Sequence, residues 1–368
     1  MTQIDGVAQP ITHLLTAIVL CHNRSHDAVR QLRVLEKTNF RHPVIVADSS
    51  EREEAARIRG AVPSHIQYVQ YAPGTSFYDK LTSVVTHIET PFVVLIPDRK
   101  ITFPHTIDAA LTHLINNEDH VAAQGYVVRF QELTDEVDVN RVLFFTSSIC
   151  EENPLERHYH LMRRYQPWLF GIFRTKAVLT AAIQAKSVSG AMFQEIMFAN
   201  AMVLQGKFGR IPQILTFQSP EHSFNPVVRT HPFYWFLDDP RSFFRHYAYY
   251  TKSLAHFVSE RGIAAATDPK LIKLLDTIHT LWLHSNFDHG VLSYSCQLQL
   301  GYPIAPIPDP RSPLPRRAVT PADKINKHGK RYYIWRDEVL NAEPKNEIYI
   351  TADEIDRVER QLDFYFDD

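Results

Sequence analysis

Leu14-Leu15-Thr16-Ala17-Ile18-Val19-Leu20-Cys21 is an unbroken, mostly apolar run of strand length that stops at His22-Asn23-Arg24. A short run that is apolar at both odd and even positions predicts a strand buried on both faces, as in parallel sheets covered by helices. The next 110 or so residues repeat the idea, alternating apolar runs with helical stretches. Asp27 to Lys37 carries Val29, Leu32, Val34 and Leu35 at roughly helical spacing, and Val44 to Ala47 is a second buried run ending at Asp48-Ser49-Ser50. Glu51 to Arg59 reads as a charged helix, Ile66 to Tyr71 as a third strand, and Tyr78 to Ile88 as a helix. Phe92 to Ile96 is a fourth strand ending near Asp98-Arg99-Lys100, followed by a helix over Pro104 to Asn116 and a strand over Val121 to Phe130. This alternation predicts an α/β domain with a mostly parallel central sheet flanked by helices. Ligands in such sheets lie beyond the carboxyl ends of the strands, and three of the predicted ends carry polar clusters.

The remaining chain is less regular. Gln131 to Asn153 breaks the pattern and reads as a variable insertion. Pro154 to Tyr165 is an amphipathic helix, Leu169 to Phe173 a short strand, and Lys176 to Gln184 another helix. Phe193 to Gln205 (FQEIMFANAMVLQ) predicts a buried helix closed by Gly206 as its C-cap, before an extended Phe208 to Phe217. Past about Phe224 the composition turns aromatic, as in HPFYWFLDDPRSFFRHYAYY (His231 to Tyr250), with helices over Pro240 to Arg261 and Pro269 to His284. Their apolar stripes read as helix-packing faces. Alternating prolines over 303–315 make a stiff connector, and the last 50 residues hold a strand at Arg331 to Trp335 and a charged helix at Ala352 to Leu362. The expected division is an α/β domain over 12–225 and a helical, aromatic-rich extension over 226–368.

Composition excludes several classes. Apolar residues at 45% and charged residues at 22% of 368 are those of a globular protein, not of a disordered or collagenous one. Lys+Arg total 39 against Asp+Glu 41, so no overall field draws the chain to nucleic acid, and the one dense cluster, Arg157 with Arg163 and Arg164, is small. Three separated cysteines fit a reducing compartment and no disulfide framework. No apolar run approaches the ~18 residues of a membrane span, and Met1 to Ile11 lacks a signal-peptide pattern. The expectation is a cytoplasmic protein without a transmembrane segment, at most peripheral to the inner membrane face. Neither GxGxxG nor GxxxxGK[ST] occurs, nor GxSxG, nor HExxH. The 19 histidines show no metal-ligand spacing and read as surface or packing residues.

The strand-end segments resemble a known family. LTAIVLCHNRSHDAVRQLRVL is similar to the opening strand and helix of inverting family 2 glycosyltransferases, with Cys21-His22-Asn23-Arg24 at the family's turn. VIVADSS resembles their second strand, and TPFVVLIPDRKITFP the strand that ends in the family's aspartate motif. PLERHYHLMRRYQPWLFGIFRTKAV and MFQEIMFANAMVLQGKFGRIPQIL resemble the acceptor-side half of a bacterial subgroup. The resemblance runs from about Leu14 to Phe224. It implies a GT-A-like fold, a nucleoside diphosphate sugar donor, and transfer with inversion to a glycan or other hydroxyl acceptor, as in surface polysaccharide synthesis. A hexosyltransferase is the expected type.

Carried over residue by residue, the resemblance places the donor among His22, Asn23, Arg24, Asp48, Ser50, Lys80, Asp98, Arg99 and Lys100. Asp48 can accept from the ribose or base, or can simply cap its own turn. Arg24 and Lys80 can approach the diphosphate, with an exposed salt bridge as the plainer role for each. Glu195 stands where the family places the base that takes the acceptor's proton, although the macrodipole also favours an acid in a helix's first turn. The second acid the family often has next is here Ile196. Tyr165 and Trp168 can stack on a sugar or fill a core, and His222 can reach the diphosphate.

The aspartate motif departs from the family. Only Asp98 remains, beside Arg99 and Lys100, where two or three acids normally hold manganese or magnesium. A single carboxylate next to two cations is a poor site for a hard divalent ion, so no cofactor is firmly implied and Asp98 is a metal ligand only if a metal is used. Either the cations stabilise the leaving diphosphate themselves, or catalysis has been lost and the chain is a silent, nucleotide-binding relative; the first is preferred. A nucleotidyltransferase would want a glycine-rich basic loop after the first strand, and Cys21 to Asp27 is not one.

Overall fold

The computed structural model describes residues 13–98, 100–132, 136–144, 146–218, 235–236 and 239–285, with short stretches at 324–325, 331–334, 353–354 and 357–358. Arg99, His222, the 303–315 connector and most of the 352–362 helix lie outside the described residues.

The opening run forms β1 (Leu15–Cys21), every residue of it buried. It is flanked by two parallel neighbours, β2 (Val44–Asp48) and β4 (Phe92–Pro97), and β3 (Gln67–Gln70) continues the parallel set beyond β2. On the other side β8 (Ile172–Arg174) runs antiparallel to both β4 and β6 (His120–Glu132), and β9 (Lys207–Gln218) is parallel to β6. Six of these seven strands therefore point one way, which is the mostly parallel α/β sheet expected.

Alternate residues of β1 feed two cores. Leu15, Ala17, Val19 and Cys21 meet Leu32 and Leu35 of α1 (Ser25–Lys37), Ile58 of α2 (Arg52–Ala61) and Leu111 of α4 (Pro104–Asn116). Ile18 and Leu20 meet the opposite layer, made of α3 (Phe77–Val85), α5 (Pro154–Arg163), α6 (Thr175–Ser187) and α7 (Ala191–Gln205). Phe243, Tyr250, Leu254 and Phe257 of α8 (Pro240–Glu260) and Leu271, Leu275, Ile278 and Trp282 of α9 (Pro269–Ser285) belong to this same core. Among the described residues, these two helices of the aromatic extension share a core with the domain before them.

One reading changes. The segment taken as an insertion contains β7 (Glu136–Phe144), paired with β6 and, in parallel, with β11 (Arg331–Ile334), which in turn pairs with β10 (Lys324–Ile325). Its signal was the period-two alternation of Val137-Asp138-Val139-Asn140, obscured by flanking acids. Gly206 does close α7 as expected, with extended backbone (φ 179). Glycine is needed because a Cβ there would lie 2.5 Å from Val121 Cγ1 and 2.8 Å from the Asp119 carbonyl. The guanidinium of Arg157, donating to the Val203 carbonyl at 2.9 Å, satisfies part of that helix end.

The course of α6 and α7 decides where the candidate base lies. α6 starts at the foot of β4, where Thr175 N–H donates to the Pro91 carbonyl, and climbs to the carboxyl-end rim, where Lys186 meets Asp79 of α3 at 2.7 Å. The chain reverses at Gly190, whose φ of 89 suits glycine and whose missing side chain makes room for the Trp235 ring, 2.6 Å from an ideal Cβ. α7 then descends, and the amide of Gln205 reaches back to Ala177 of α6. The first turns of α7 are therefore at the rim.

Candidate active site

Three strand ends meet at one level. Cys21 pairs with Asp48, and Leu20 pairs with Pro97, which brings Asp98 level with Cys21. The loops above them are clamped together. Asn23 takes a left-handed conformation (φ 53) that its short amide tolerates. Its N–H donates to Ser50 Oγ at 2.7 Å, and its Oδ1 accepts from Glu51 N–H at 2.8 Å. His22 Nδ1 donates to the Ser49 carbonyl at 2.9 Å, which leaves the ring on the exposed side of the loop. Asn23 and Ser50, both among the residues expected at the nucleotide, thus tie the two loops together.

Asp48 is fully buried and already engaged. Its Oδ1 accepts from Ser50 N–H (2.9 Å) and Ser50 Oγ (2.5 Å), and its Oδ2 accepts from the Tyr68 hydroxyl of β3 (2.8 Å). The turn-capping role weighed against ribose binding is present. Tyr68 was missed, since the short run QYVQ shows no alternation to single it out. Burial and its bond to Asp48 push its hydroxyl well above the usual range, so it remains a donor.

Asp98 is nearly buried, and Arg24 Nη1 reaches its Oδ1 at 3.3 Å while the guanidinium stays 45% exposed. Burial raises the Asp98 carboxyl, and the neighbouring Arg24 and Lys80 work against that rise. Lys80 is not the exposed cation expected. It is 3% exposed, and its Nζ donates to the Cys21 carbonyl at 2.5 Å directly beneath the rim. Burial lowers its pKa, opposed by Asp48 and Asp98. The rim thus holds two carboxylates and two cations within one electrostatic unit. Lys100 begins β5 (Lys100–Thr102), which pairs antiparallel with β9 at Gln218.

Glu195 is the fifth residue of α7, in its second turn and not the first. The macrodipole explanation for an acid there therefore weakens. Its Oε1 accepts from the Tyr165 hydroxyl at 3.0 Å, and Tyr78, on the first turn of α3, has its hydroxyl pKa pushed up by burial and then by the Glu195 charge. One turn of α3 therefore joins the two halves of the site, Tyr78 toward Glu195 and Lys80 toward the strand ends. Trp168 is elsewhere: it is buried against Phe208 and lies under the Arg210 guanidinium, 4.2 Å from the ring centroid, so it packs a core and cannot stack on a sugar.

The residues do not fit a divalent metal. Asp98 pairs with Arg24, both Asp48 oxygens hold protein donors, and among the described residues no three His, Cys, Asp or Glu side chains gather as a ligand set. A Cys–His–Asp line at the opposite end of the sheet is also unsuited to chemistry. Cys150 Sγ lies 3.6 Å from His120 Nε2, and His120 Nδ1 lies 3.0 Å from Asp119. Desolvation and Glu151 push the thiol up, the reverse of an activated nucleophile.

The chain is similar to a crystal structure of S. aureus TarS 1–349, at 12% identity over 78% of this chain and 91% of that one, with a TM-score of 0.39. It is similar also to a crystal structure of S. aureus TarS, at 13% identity over 73% of this chain and 53% of that one, with a TM-score of 0.40. No protein-family model and no curated protein matches the chain. Among the described residues no helix is long and apolar enough to cross a membrane.

Proposed function

We propose that this chain is a glycosyltransferase that moves a sugar, of hexosyl type, from a nucleoside diphosphate to an acceptor hydroxyl with inversion, in the building of a glycan. The observation that carries the reading is the meeting of Arg24, Lys80, Asp48 and Asp98 at one sheet rim with Glu195 in the adjoining helical layer. In this reading residues 12–225 supply the GT-A-like unit. The nucleotide lies across the Asn23–Ser50 floor. Its diphosphate draws the exposed Arg24 guanidinium off Asp98, with Lys80 as a fixed cation behind it and Arg99 and Lys100 added from the chain after β4. As the anomeric bond to the diphosphate breaks, the acceptor oxygen forms the new bond from the opposite face, and its proton passes to the Glu195 carboxylate. The electron pair of the broken bond leaves on the diphosphate and is met by these cations, which supply the positive field that a metal gives in other enzymes.

A silent, nucleotide-binding relative is the second reading. One observation favours it: Asp98, the surviving acid of the aspartate motif, is paired with Arg24, and among the described residues no metal-ligand set gathers beside it.

One pair of measurements separates the two. A thermal-shift screen of nucleoside diphosphates and their sugars, with and without manganese, identifies the donor. Glu195→Gln then abolishes release of the diphosphate from that donor while nucleotide binding persists. Turnover retained by this variant removes Glu195 from the mechanism, stabilisation without any turnover in the unmodified protein supports the silent reading, and stabilisation by no nucleotide sinks both.

A further inference from the structure

Tyr165 leaves the segment between α5 and β8 and enters the α7 layer beside Glu195, where its hydroxyl donates to Oε1 at 3.0 Å. Its ring is met edge-on by Trp282 of α9, with centroids 6.4 Å apart and planes at 83°, and Trp282 is itself 2% exposed. We infer that Tyr165 is a positioning residue for Glu195, and that Trp282 fixes Tyr165 in turn, so that the helical extension sets the geometry of the proposed base. The inference rests on the reading of Glu195 as that base.

The physical case has three parts. A glutamate on a helix has three free torsions, and proton transfer needs one carboxylate oxygen held toward the attacking hydroxyl. A tyrosine hydroxyl bonded to the other oxygen removes that freedom, and a ring locked by a buried indole cannot swing away. Second, a tyrosine kept only for packing needs no charged partner, whereas here the hydroxyl is spent on a carboxylate at the rim. Burial and the Glu195 charge both push that hydroxyl well above its usual range, so it donates across the whole pH range of an assay. Third, the T-shaped contact with Trp282 holds one side of the Tyr165 ring, so its place is set by packing as well as by its bond to Glu195. Tyr78 faces Glu195 from α3, and Tyr250 of α8 adds to the field on Tyr165. The Lys186–Asp79 pair marks the α6 and α3 ends of the same rim.

The test reads the carboxyl directly and needs no substrate. The protein is labelled with glutamate carrying carbon-13 at its side-chain carboxyl, and the Glu195 resonance is identified by its loss in Glu195→Gln. Removing a donor to a carboxylate destabilises the charged form. In Tyr165→Phe the Glu195 midpoint is expected to move up by about one pH unit, with the other glutamates unmoved. A midpoint that stays in place in a folded Tyr165→Phe protein overturns the inference. Should that variant fail to fold, Trp282→Phe carries the same test: it is expected to raise the midpoint by a fraction of a unit, and no movement overturns the role of Trp282 and α9. Because no turnover is measured, this failure is distinct from that of the base reading, which falls when Glu195→Gln remains active.

Discussion

Lys80→Met separates a binding lysine from a structural one, because the two roles predict opposite outcomes. The ammonium is 3% exposed and makes its hydrogen bond to the Cys21 carbonyl. That carbonyl also accepts from Ser49 N–H at 3.2 Å, so it keeps a partner when the lysine is gone. Methionine has similar length and no charge to desolvate, but it withdraws a cation that Asp48 and Asp98 face. Removing one partner of a buried charge set costs up to about 3–5 kcal/mol, so binding is compared on protein that denaturant unfolding shows to be folded. A hydrogen bond to a charged group contributes about 1.5–3 kcal/mol, so the Kd for a nucleoside diphosphate should weaken about 10- to 150-fold.

The alkaline limb gives a second signature. Burial lowers the Lys80 pKa from its ordinary 10.5, so below the lowered value the fold carries the full penalty of a charged buried lysine. As pH rises between that value and 10.5 the unfolded chain holds more protons, stability recovers, and the site loses a cation. Affinity for a nucleoside diphosphate should thus decline starting below pH 10.5, and this decline should be absent in Lys80→Met. Calorimetric titration with uridine, guanosine and cytidine diphosphates, paired with denaturant unfolding, checks both. A Kd within about twofold of the unsubstituted protein, or a loss of affinity that merely tracks unfolding, would refute Lys80 as a diphosphate cation.

Two further outcomes concern the frame around the site. Asp48→Ala deprives Ser50 and Tyr68 of their acceptor and should cost about 2–4 kcal/mol in denaturant unfolding, while Tyr68→Phe should cost less than about 1.5; equal stability of Asp48→Ala and the parent would show that the network is not structural. The buried chain from His158 through Asn200 and Tyr250 to His279 joins α5, α7, α8 and α9. Burial lowers His158 to about 4, so the folded state keeps it neutral and its contribution is complete above the unfolded value of about 6.5 and falls as pH drops toward 4. Stability should fall by up to about 2 kcal/mol between pH 6.5 and 5 from this residue alone. Melting curves of His158→Gln should show a smaller fall over that window, and an unchanged one would mean that another group drives acid unfolding.

The fold was legible where pattern and burial coincide. Apolar runs such as Leu15–Cys21 and Phe92–Pro97 are buried along their whole length, so continuous hydrophobicity identified them without help from neighbours. The Asp48 and Asp98 levels followed, since the ends of parallel strands fix the rim. What could not be read was the direction taken by long side chains. Lys80 looks like a surface lysine in sequence, because nothing local reveals that its stem runs under β1 to the Cys21 carbonyl. Trp168 likewise reads as a sugar platform until Arg210, 42 residues later in the chain, is seen to cover it. Tyr165 and Trp282 are separated by more than a hundred residues, and only the packing of α9 against the α7 layer brings them together.

On the proposed reading, the charges at the rim would let such a site work without hard ligands. At rest Asp48 and Asp98 balance Arg24 and Lys80, and the internal donors to Asp48 spread its charge further. An arriving diphosphate brings an excess of negative charge that this balanced set must answer. Arg24 is half in solvent and can leave Asp98 at modest cost, since a partly exposed ion pair is weak. Lys80 cannot move in the same way, being enclosed, so on this reading it would be the fixed cation around which Arg24 rearranges. Once Arg24 has moved, Asp98 is a buried carboxylate that has lost its closest cation, and burial already raises its pKa. The proton it then favours would remove the remaining repulsion to the diphosphate. The proposed division of labour between one mobile and one immobile cation is thus what a single surviving aspartate would permit; a second carboxylate beside it would hold Arg24 in place and call for a metal instead.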